Sequence, residues 1–149
     1  MAAERRASVT WTGDLLSGSG TIDEVGSGAF GPLAVSWAAR AEEASGGKTS
    51  PEELLAAAHA ACFSMSLSSG LAKAGNPPER LDVTCTITLD EVEGKGHLIV
   101  SSELDVQARA EGIDQAGLEQ VARKADEGCT FSALIRASAS VSVRAELAS

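Results

Sequence analysis

The chain has 149 residues, of which 44% are apolar, and a formal net charge of −9 at pH 7. This length suits one domain with a buried core, and the apolar fraction excludes general disorder. The acidic balance argues against nucleic acid or an anionic membrane as a partner. No apolar run reaches the ~20 residues of a membrane span and no secretory leader is recognised, so a cytoplasmic protein is expected.

Short β-like runs punctuated by glycine occupy the N-terminal region and predict strands over residues 8–11 and 20–25. A third strand is predicted over residues 33–40, followed by a Ser-Gly-Gly loop. Arg40 is therefore expected at the end of an apolar strand.

The long helix of the chain has strong start and stop signals. Ser50 is a good N-cap, Pro51 suits the first helical position, and Glu53 is placed for a capping box with Ser50. The helix is expected to run to Ala74, where Gly75 and two prolines stop it. Small and apolar side chains occupy all its sides, which predicts a buried helix rather than an amphipathic one.

The C-terminal half predicts a hairpin, two helices and a final strand. Apolar and polar residues alternate over 81–90 and over 98–108, which is typical of an antiparallel hairpin with one wet face. A helix with an aspartate cap is predicted over 114–126, a shorter helix over 130–136, and a last strand over 137–147. This order of strands and helices indicates an α+β domain.

Three cysteines, at positions 62, 85 and 129, are too few and too widely spaced for a disulfide framework. Cys62 lies too deep in its helix for the dipole to help a thiolate, so it is either a core residue or a nucleophile that a cation stabilises. Cys129 occupies a loop between two helices, where another thiol can reach it. Cys85 falls on the inward side of a strand and is expected to be core. Metal-ligand spacing is absent from the cysteine pattern, so no metal site is expected.

Three further residues near these thiols can take part in their chemistry. His59, one turn before Cys62, either pairs with that thiol or is a core histidine satisfied by hydrogen bonds. Arg40 can stabilise a thiolate and bind a peroxide oxygen, with Glu52 orienting its planar guanidinium. The ordinary alternatives are a solvated strand end for Arg40 and a helix first-turn acid for Glu52.

Several segments together resemble the OsmC/Ohr family of osmotically inducible and organic hydroperoxide resistance proteins. The main likeness lies in residues 49–55 and 57–65, which include His-Ala-Ala-Cys-Phe-Ser-Met of the OsmC branch. Residues 11–14, 112–114 and 128–129 also fit the family pattern. The resemblance thus covers nearly the whole chain.

The resemblance implies a thiol-dependent peroxidase that reduces organic hydroperoxides to alcohols. Cys62 matches the peroxidatic cysteine and Cys129 the resolving one, while Arg40 and Glu52 match the active-site arginine and its carboxylate partner. Thr130 stands where the family often has proline, which is expected to change loop stiffness but not these roles. The implied cycle forms a Cys62 sulfenic acid and then a Cys62–Cys129 disulfide, recycled by an external dithiol of the lipoyl type without a bound cofactor.

The implied fold is a single OsmC-like domain over residues 1–149, in an intertwined homodimer whose antiparallel sheets wrap around two central helices. Ten helical residues, or ~15 Å, separate Glu52 from Cys62, so a continuous helix keeps them apart within one chain. Two antiparallel helices would bring Glu52 of one subunit near Cys62 of the other. The alternative is a non-catalytic small-molecule or lipid-binding protein on the same fold, with incidental thiols.

Overall fold

A computed structural model describes residues 1–148 of the chain and divides them into two compact units, Met1–Leu54 and the chain from Leu55 onward. Within the described residues there are six strands and four helices, so the predicted α+β class is confirmed. The single domain over residues 1–149 stays a prediction.

The first unit contains three strands, β1 (Ala7–Thr12), β2 (Ser19–Val25) and β3 (Leu33–Val35). They form an antiparallel sheet in the order β1-β2-β3. Every residue of β1 is exposed, including Val9 and Trp11, whose exposed fractions are 60% and 40%. The sheet therefore leaves large apolar side chains uncovered within its own unit.

A short helix, α1 (Trp37–Ala41), replaces the second half of the predicted third strand. The hydroxyl of Ser36 accepts a hydrogen bond from the backbone N–H of Ala39 at 3.1 Å, which caps the helix. The prediction of a strand over 33–40 was wrong because this local cap ends β3 and starts a helix within the same apolar run. Arg40 consequently lies in the last turn of α1 rather than at a strand end.

The long helix α2 (Pro51–Lys73) lies within one residue of its predicted bounds. The hydroxyl of Ser50 accepts from the backbone N–H of Glu53 at 3.1 Å, as the capping-box pattern predicts. The Glu53 carboxylate instead accepts from the Thr49 hydroxyl at 3.2 Å. After the last turn, Gly75 has a φ of +86°, a left-handed conformation that glycine adopts readily and that ends the helix.

The second unit contains the predicted long hairpin, β4 (Pro78–Val92) and β5 (Gly96–Ala110), and the last strand, β6 (Ser140–Leu147). These strands form a sheet in the order β4-β5-β6. Two helices, α3 (Gln115–Gly128) and α4 (Thr130–Arg136), connect β5 to β6. Because these helices carry the chain back before β6 begins, β6 pairs with β5 in parallel. This sheet is mixed rather than wholly antiparallel as expected.

One face of α2 forms the centre of the second unit. This buried stripe recurs every fourth residue and comprises His59, Phe63, Leu67 and Leu71, all 0% exposed. The three apolar members join a core cluster with residues of β5 and α3. The opposite side of α2 is exposed, with Met65 at 73%. The single chain therefore covers only one face of α2, and burial of the helix on all sides stays a prediction.

By length and composition alone, α2 is also capable of crossing a membrane. The sequence criterion of an uninterrupted apolar run missed this. The buried stripe of α2, however, packs against β5 and α3 in a protein core. Of the apolar 18-residue window within α2, 22% is buried in this way. The exposed remainder of α2 calls for cover by another surface.

Candidate active site

The thiols of Cys62 and Cys129 lie together, although 67 residues separate them in the sequence. Cys62 is on α2 and Cys129 is at the junction of α3 and α4. Their Sγ atoms are 3.5 Å apart, and both thiols are free. A disulfide bond is ~2.05 Å long, so the sulfurs need to approach by only about 1.5 Å to form one.

The two thiols differ in exposure. Cys129 is 1% exposed and caps α4, where its Sγ accepts from the backbone N–H of Ser132 at 3.5 Å. Cys62 is partly exposed and packs against the edge of the core cluster. Solvent and reagents therefore reach Cys62 more readily than Cys129.

His59 is the most buried ionisable side chain beside the thiols, at 0% exposed. Its Nδ1 is 2.6 Å from Ser102 Oγ and its Nε2 is 2.8 Å from Ser132 Oγ. Burial lowers the pKa of His59, an effect that the charge of Asp126 opposes and that of Arg136 reinforces. Of the two sequence alternatives, the structure favours the core histidine satisfied by hydrogen bonds.

The third thiol, Cys85 on β4, is partly buried against the core as expected. Its Sγ lies 3.3 Å from Ser102 Oγ and 3.7 Å from His59 Nδ1. Burial raises the pKa of Cys85, and the hydrogen bond with Ser102 offsets this in part. The Cys85 thiol consequently stays protonated at neutral pH, which makes it a poor nucleophile.

Arg40 and Glu52 form an ion pair in the first unit. Arg40 Nε lies 2.8 Å from Glu52 Oε1, and the guanidinium carbon is 5.9 Å from the centre of the Trp37 ring. The Glu52 side chain is 9% exposed, and its Oε2 is buried without a hydrogen-bond partner among residues 1–148. The guanidinium is thus oriented by a carboxylate and an aromatic ring, and the predicted contact between Arg40 and Glu52 is present.

The structure therefore brings the four predicted site residues together as two pairs, each within its own unit. Sequence reasoning missed Ser102 and Ser132, the partners of His59. Ser102 carried a signal, because it occupies an inward position of the alternation in β5 between Val100 and Leu104. In the part of the chain that the structure describes, no group of three or more His, Cys, Asp or Glu side chains is placed to hold a metal.

The buried His59 is expected to make the folding stability depend on pH. Because its pKa is lower in the folded chain than the ~6.5 of an unfolded one, the unfolded chain binds more protons between the two values. The free energy of unfolding should therefore fall as the pH drops below about 6.5. Urea unfolding at a series of pH values measures this loss.

One variant assigns the loss to His59. His59→Gln should lose less stability than the wild type over the same pH interval. An equal loss in His59→Gln and the wild type would contradict the assignment.

The chain is similar to known proteins in sequence and in fold. The model of the OsmC-like protein family matches residues 44–144. Peroxiredoxin OsmC of Escherichia coli (strain K12) is 36% identical over 137 residues, which cover 92% of this chain and 93% of the relative.

Two solved structures share the fold with a TM-score of 0.70. The organic hydroperoxide resistance protein OhrB of Bacillus subtilis is 22% identical, and the match covers 95% of this chain and 98% of OhrB. The organic hydroperoxide resistance protein OsmC of Legionella pneumophila is 24% identical, with 97% and 99% covered. At these identities the structures support the fold alone, whereas the family model and the Escherichia coli relative identify the chain as a member of the OsmC-like protein family, as the sequence resemblance predicted.

Proposed function

We propose that the protein is a thiol-dependent peroxidase that reduces organic hydroperoxides to alcohols with Cys62 and Cys129. The observation that carries this proposal is the pair of free thiols 3.5 Å apart, one partly exposed and one enclosed. The relative at 36% identity is named a peroxiredoxin, and the two solved structures are named organic hydroperoxide resistance proteins. Cysteine-based peroxide reduction agrees with both the geometry and these names.

The reaction begins at Cys62. Its thiolate attacks one oxygen of the hydroperoxide, the O–O bond breaks, and the leaving alkoxide takes a proton to become the alcohol. Cys62 is left as a sulfenic acid. The Cys129 sulfur then attacks the Cys62 sulfur, so that the S–S bond forms as the S–O bond breaks. The departing hydroxide takes the Cys129 proton and leaves as water.

An external dithiol then restores the two thiols by two successive exchanges and leaves as its own disulfide. Since Cys129 is 1% exposed and Cys62 is partly exposed, the first exchange attacks Cys62 and releases Cys129. A dithiol of the lipoyl type is the proposed reductant. Its carbon chain keeps the two thiols close enough for the second exchange to be intramolecular.

The active assembly that we propose is an intertwined homodimer of single-domain chains, located in the cytoplasm. The exposed side of α2 and the uncovered β1 side chains are apolar surfaces that a second copy of the chain would bury. In this arrangement the Arg40–Glu52 pair of one subunit stabilises the Cys62 thiolate of the other. Sedimentation of the purified protein tests the dimer.

Apolar side chains near the thiols favour an organic peroxide over hydrogen peroxide. Met65 on α2 and Leu134 on α4 are 73% and 64% exposed and belong to the two helices that hold the thiols. Phe63, the neighbour of Cys62 on α2, is 0% exposed and belongs to the core instead. Consumption of an alkyl hydroperoxide should therefore be faster than that of hydrogen peroxide at equal concentration.

Mass spectrometry after one equivalent of tert-butyl hydroperoxide tests the function. The chain should lose its two thiol hydrogens, and the peptide map should join Cys62 to Cys129. A protein that only binds small molecules or lipids would keep both thiols reduced, and that result would overturn the proposal.

Arg40→Ala is expected to slow the attack of Cys62 on the peroxide at neutral pH, because the thiolate loses its stabilising cation. The rate should partly recover at higher pH, where the thiolate forms without help. Arg40→Lys should not restore it fully, since Glu52 cannot hold a flexible ammonium group in a plane. Glu52→Gln should act in the same direction but more weakly. Single-turnover rates as a function of pH measure all three variants.

The ion pair of Arg80 and Asp82 provides a matched control. Its Nε–Oδ2 distance is 2.9 Å, but the side chains are 68% and 57% exposed. Arg80→Ala should follow the wild-type profile. A wild-type profile in Arg40→Ala as well would mean that another group stabilises the thiolate.

A further inference from the structure

A cluster of buried polar side chains lies beside the thiol pair and takes no part in the chemistry above. It consists of His59 on α2, Ser102 on β5 and Ser132 on α4, all 0% exposed. Buried polar groups in an apolar core cost stability unless every hydrogen bond is made. Both ring nitrogens of His59 are satisfied here, one by each serine.

The cluster connects the two elements that carry the thiols. Ser132 makes two contacts: its hydroxyl is hydrogen-bonded to His59 Nε2 at 2.8 Å, and its backbone N–H donates to Cys129 Sγ at 3.5 Å. His59 belongs to the same helix as Cys62, one turn earlier. A path of direct contacts therefore runs from α2 through the imidazole and Ser132 to the Cys129 sulfur.

We propose that His59 is a positioning residue for the resolving step, holding the first turn of α4 through Ser132 so that Cys129 Sγ stays aimed at Cys62 Sγ. This inference rests on the proposed function, because it assigns His59 to the second half of that reaction. In this role His59 exchanges no proton with the substrate and does not contact the sulfur of Cys62 or Cys129. Its effect passes entirely through Ser132.

The geometry makes the resolving step sensitive to such positioning. The Cys129 sulfur must travel about 1.5 Å to bond the Cys62 sulfur as hydroxide leaves the sulfenic acid with the Cys129 proton. A misplacement of about 1 Å can cost up to a hundredfold in rate. In the return reaction Cys129 leaves as a thiolate, and the Ser132 N–H that donates to its sulfur favours that charge.

The neutral form of His59 is the one that can hydrogen-bond to Ser102 and Ser132 at the same time as donor and acceptor. Burial lowers its pKa, so the imidazole is neutral at neutral pH and offers one donor and one acceptor. A serine hydroxyl can donate or accept, so Ser102 and Ser132 complement the two nitrogens. The ring is thereby held in one orientation between β5 and α4.

Two amide variants separate positioning through Ser132 from simple core packing. The amide of His59→Gln can reach the place of Nε2 and keep the contact with Ser132, whereas the shorter His59→Asn reaches only the place of Nδ1 and Ser102. Ser132→Ala and Ser102→Ala form a second pair, and they leave the imidazole in place should the histidine variants fold poorly. Circular dichroism first establishes that each variant is folded.

The experiment mixes each reduced variant with one equivalent of tert-butyl hydroperoxide and quenches aliquots with dimedone and an alkylating agent. Mass spectrometry then gives the rate of Cys62 oxidation and the rate of Cys62–Cys129 disulfide formation separately. His59→Asn and Ser132→Ala should form the disulfide about tenfold more slowly, with the attack on peroxide changed by less than about twofold. His59→Gln and Ser102→Ala should lie closer to the wild type in disulfide formation.

Two kinds of result would contradict the positioning role of His59. If His59→Asn, His59→Gln and Ser132→Ala all slow both steps equally, or none of them slows disulfide formation, His59 does not position Cys129, while the proposed peroxidase activity stands. Failure of the wild type itself to form the Cys62–Cys129 disulfide would overturn the proposed function, and this inference with it.

Discussion

Cys62→Ser is expected to reduce peroxide consumption to less than about one tenth of the wild-type rate, because it removes the nucleophile. The hydroxyl of serine does not form an anion at neutral pH without a strong base. Serine is close to cysteine in size and Cys62 lies at the edge of the core, so the packing of α2 should survive. Consumption of tert-butyl hydroperoxide coupled to a dithiol measures the loss.

Cys85→Ala is the matched control, since it also removes one thiol of the second unit. Its activity should stay near that of the wild type, because burial keeps the Cys85 thiol protonated. Its stability should fall only modestly, since the side chain is partly exposed. Retention of more than about a tenth of the activity in Cys62→Ser would remove Cys62 from its proposed role.

Local signals in the sequence predicted most of the secondary structure. Helix caps depend on residues within one turn, so Ser50 and Asp114 marked the starts of α2 and α3 correctly. The alternation of apolar and polar residues likewise predicted β4 and β5, because one face of this hairpin is exposed to solvent and the other is covered. The same local reasoning failed at α1, where an apolar run looked like a strand and the cap at Ser36 was overlooked.

The candidate site depended on contacts that local patterns do not contain. The family resemblance indicated that Cys62 and Cys129 form a pair. The distance of 3.5 Å between their Sγ atoms, however, is known only from the folded structure. The partners of His59 lie 43 and 73 residues away along the chain, so no spacing rule points to them. The sequence also could not predict which face of α2 is buried. A helix that is apolar on all sides has no polar face to mark the side exposed to solvent.

Cys129→Ser is expected to separate the two halves of the reaction. Attack on the peroxide needs only Cys62, so each chain should still react once. Serine is a strong N-cap residue, and its hydroxyl can accept from Ser132 N–H as Cys129 Sγ does, so α4 should keep its first turn. The substitution therefore removes the resolving thiol without removing the cap.

Without a resolving thiol, the Cys62 sulfenic acid of Cys129→Ser should persist and be oxidised further to sulfinic acid by excess peroxide. Dimedone should label Cys62 in this variant to a far greater extent than in the wild type, where the nearby Cys129 sulfur consumes the sulfenic acid first. Because sulfinic acid is not reduced by dithiols, activity should decline with each addition of peroxide. Sustained turnover with a dithiol at the wild-type rate, together with weak dimedone labelling, would exclude Cys129 as the resolving thiol and leave Cys62 to be reduced directly by the external dithiol.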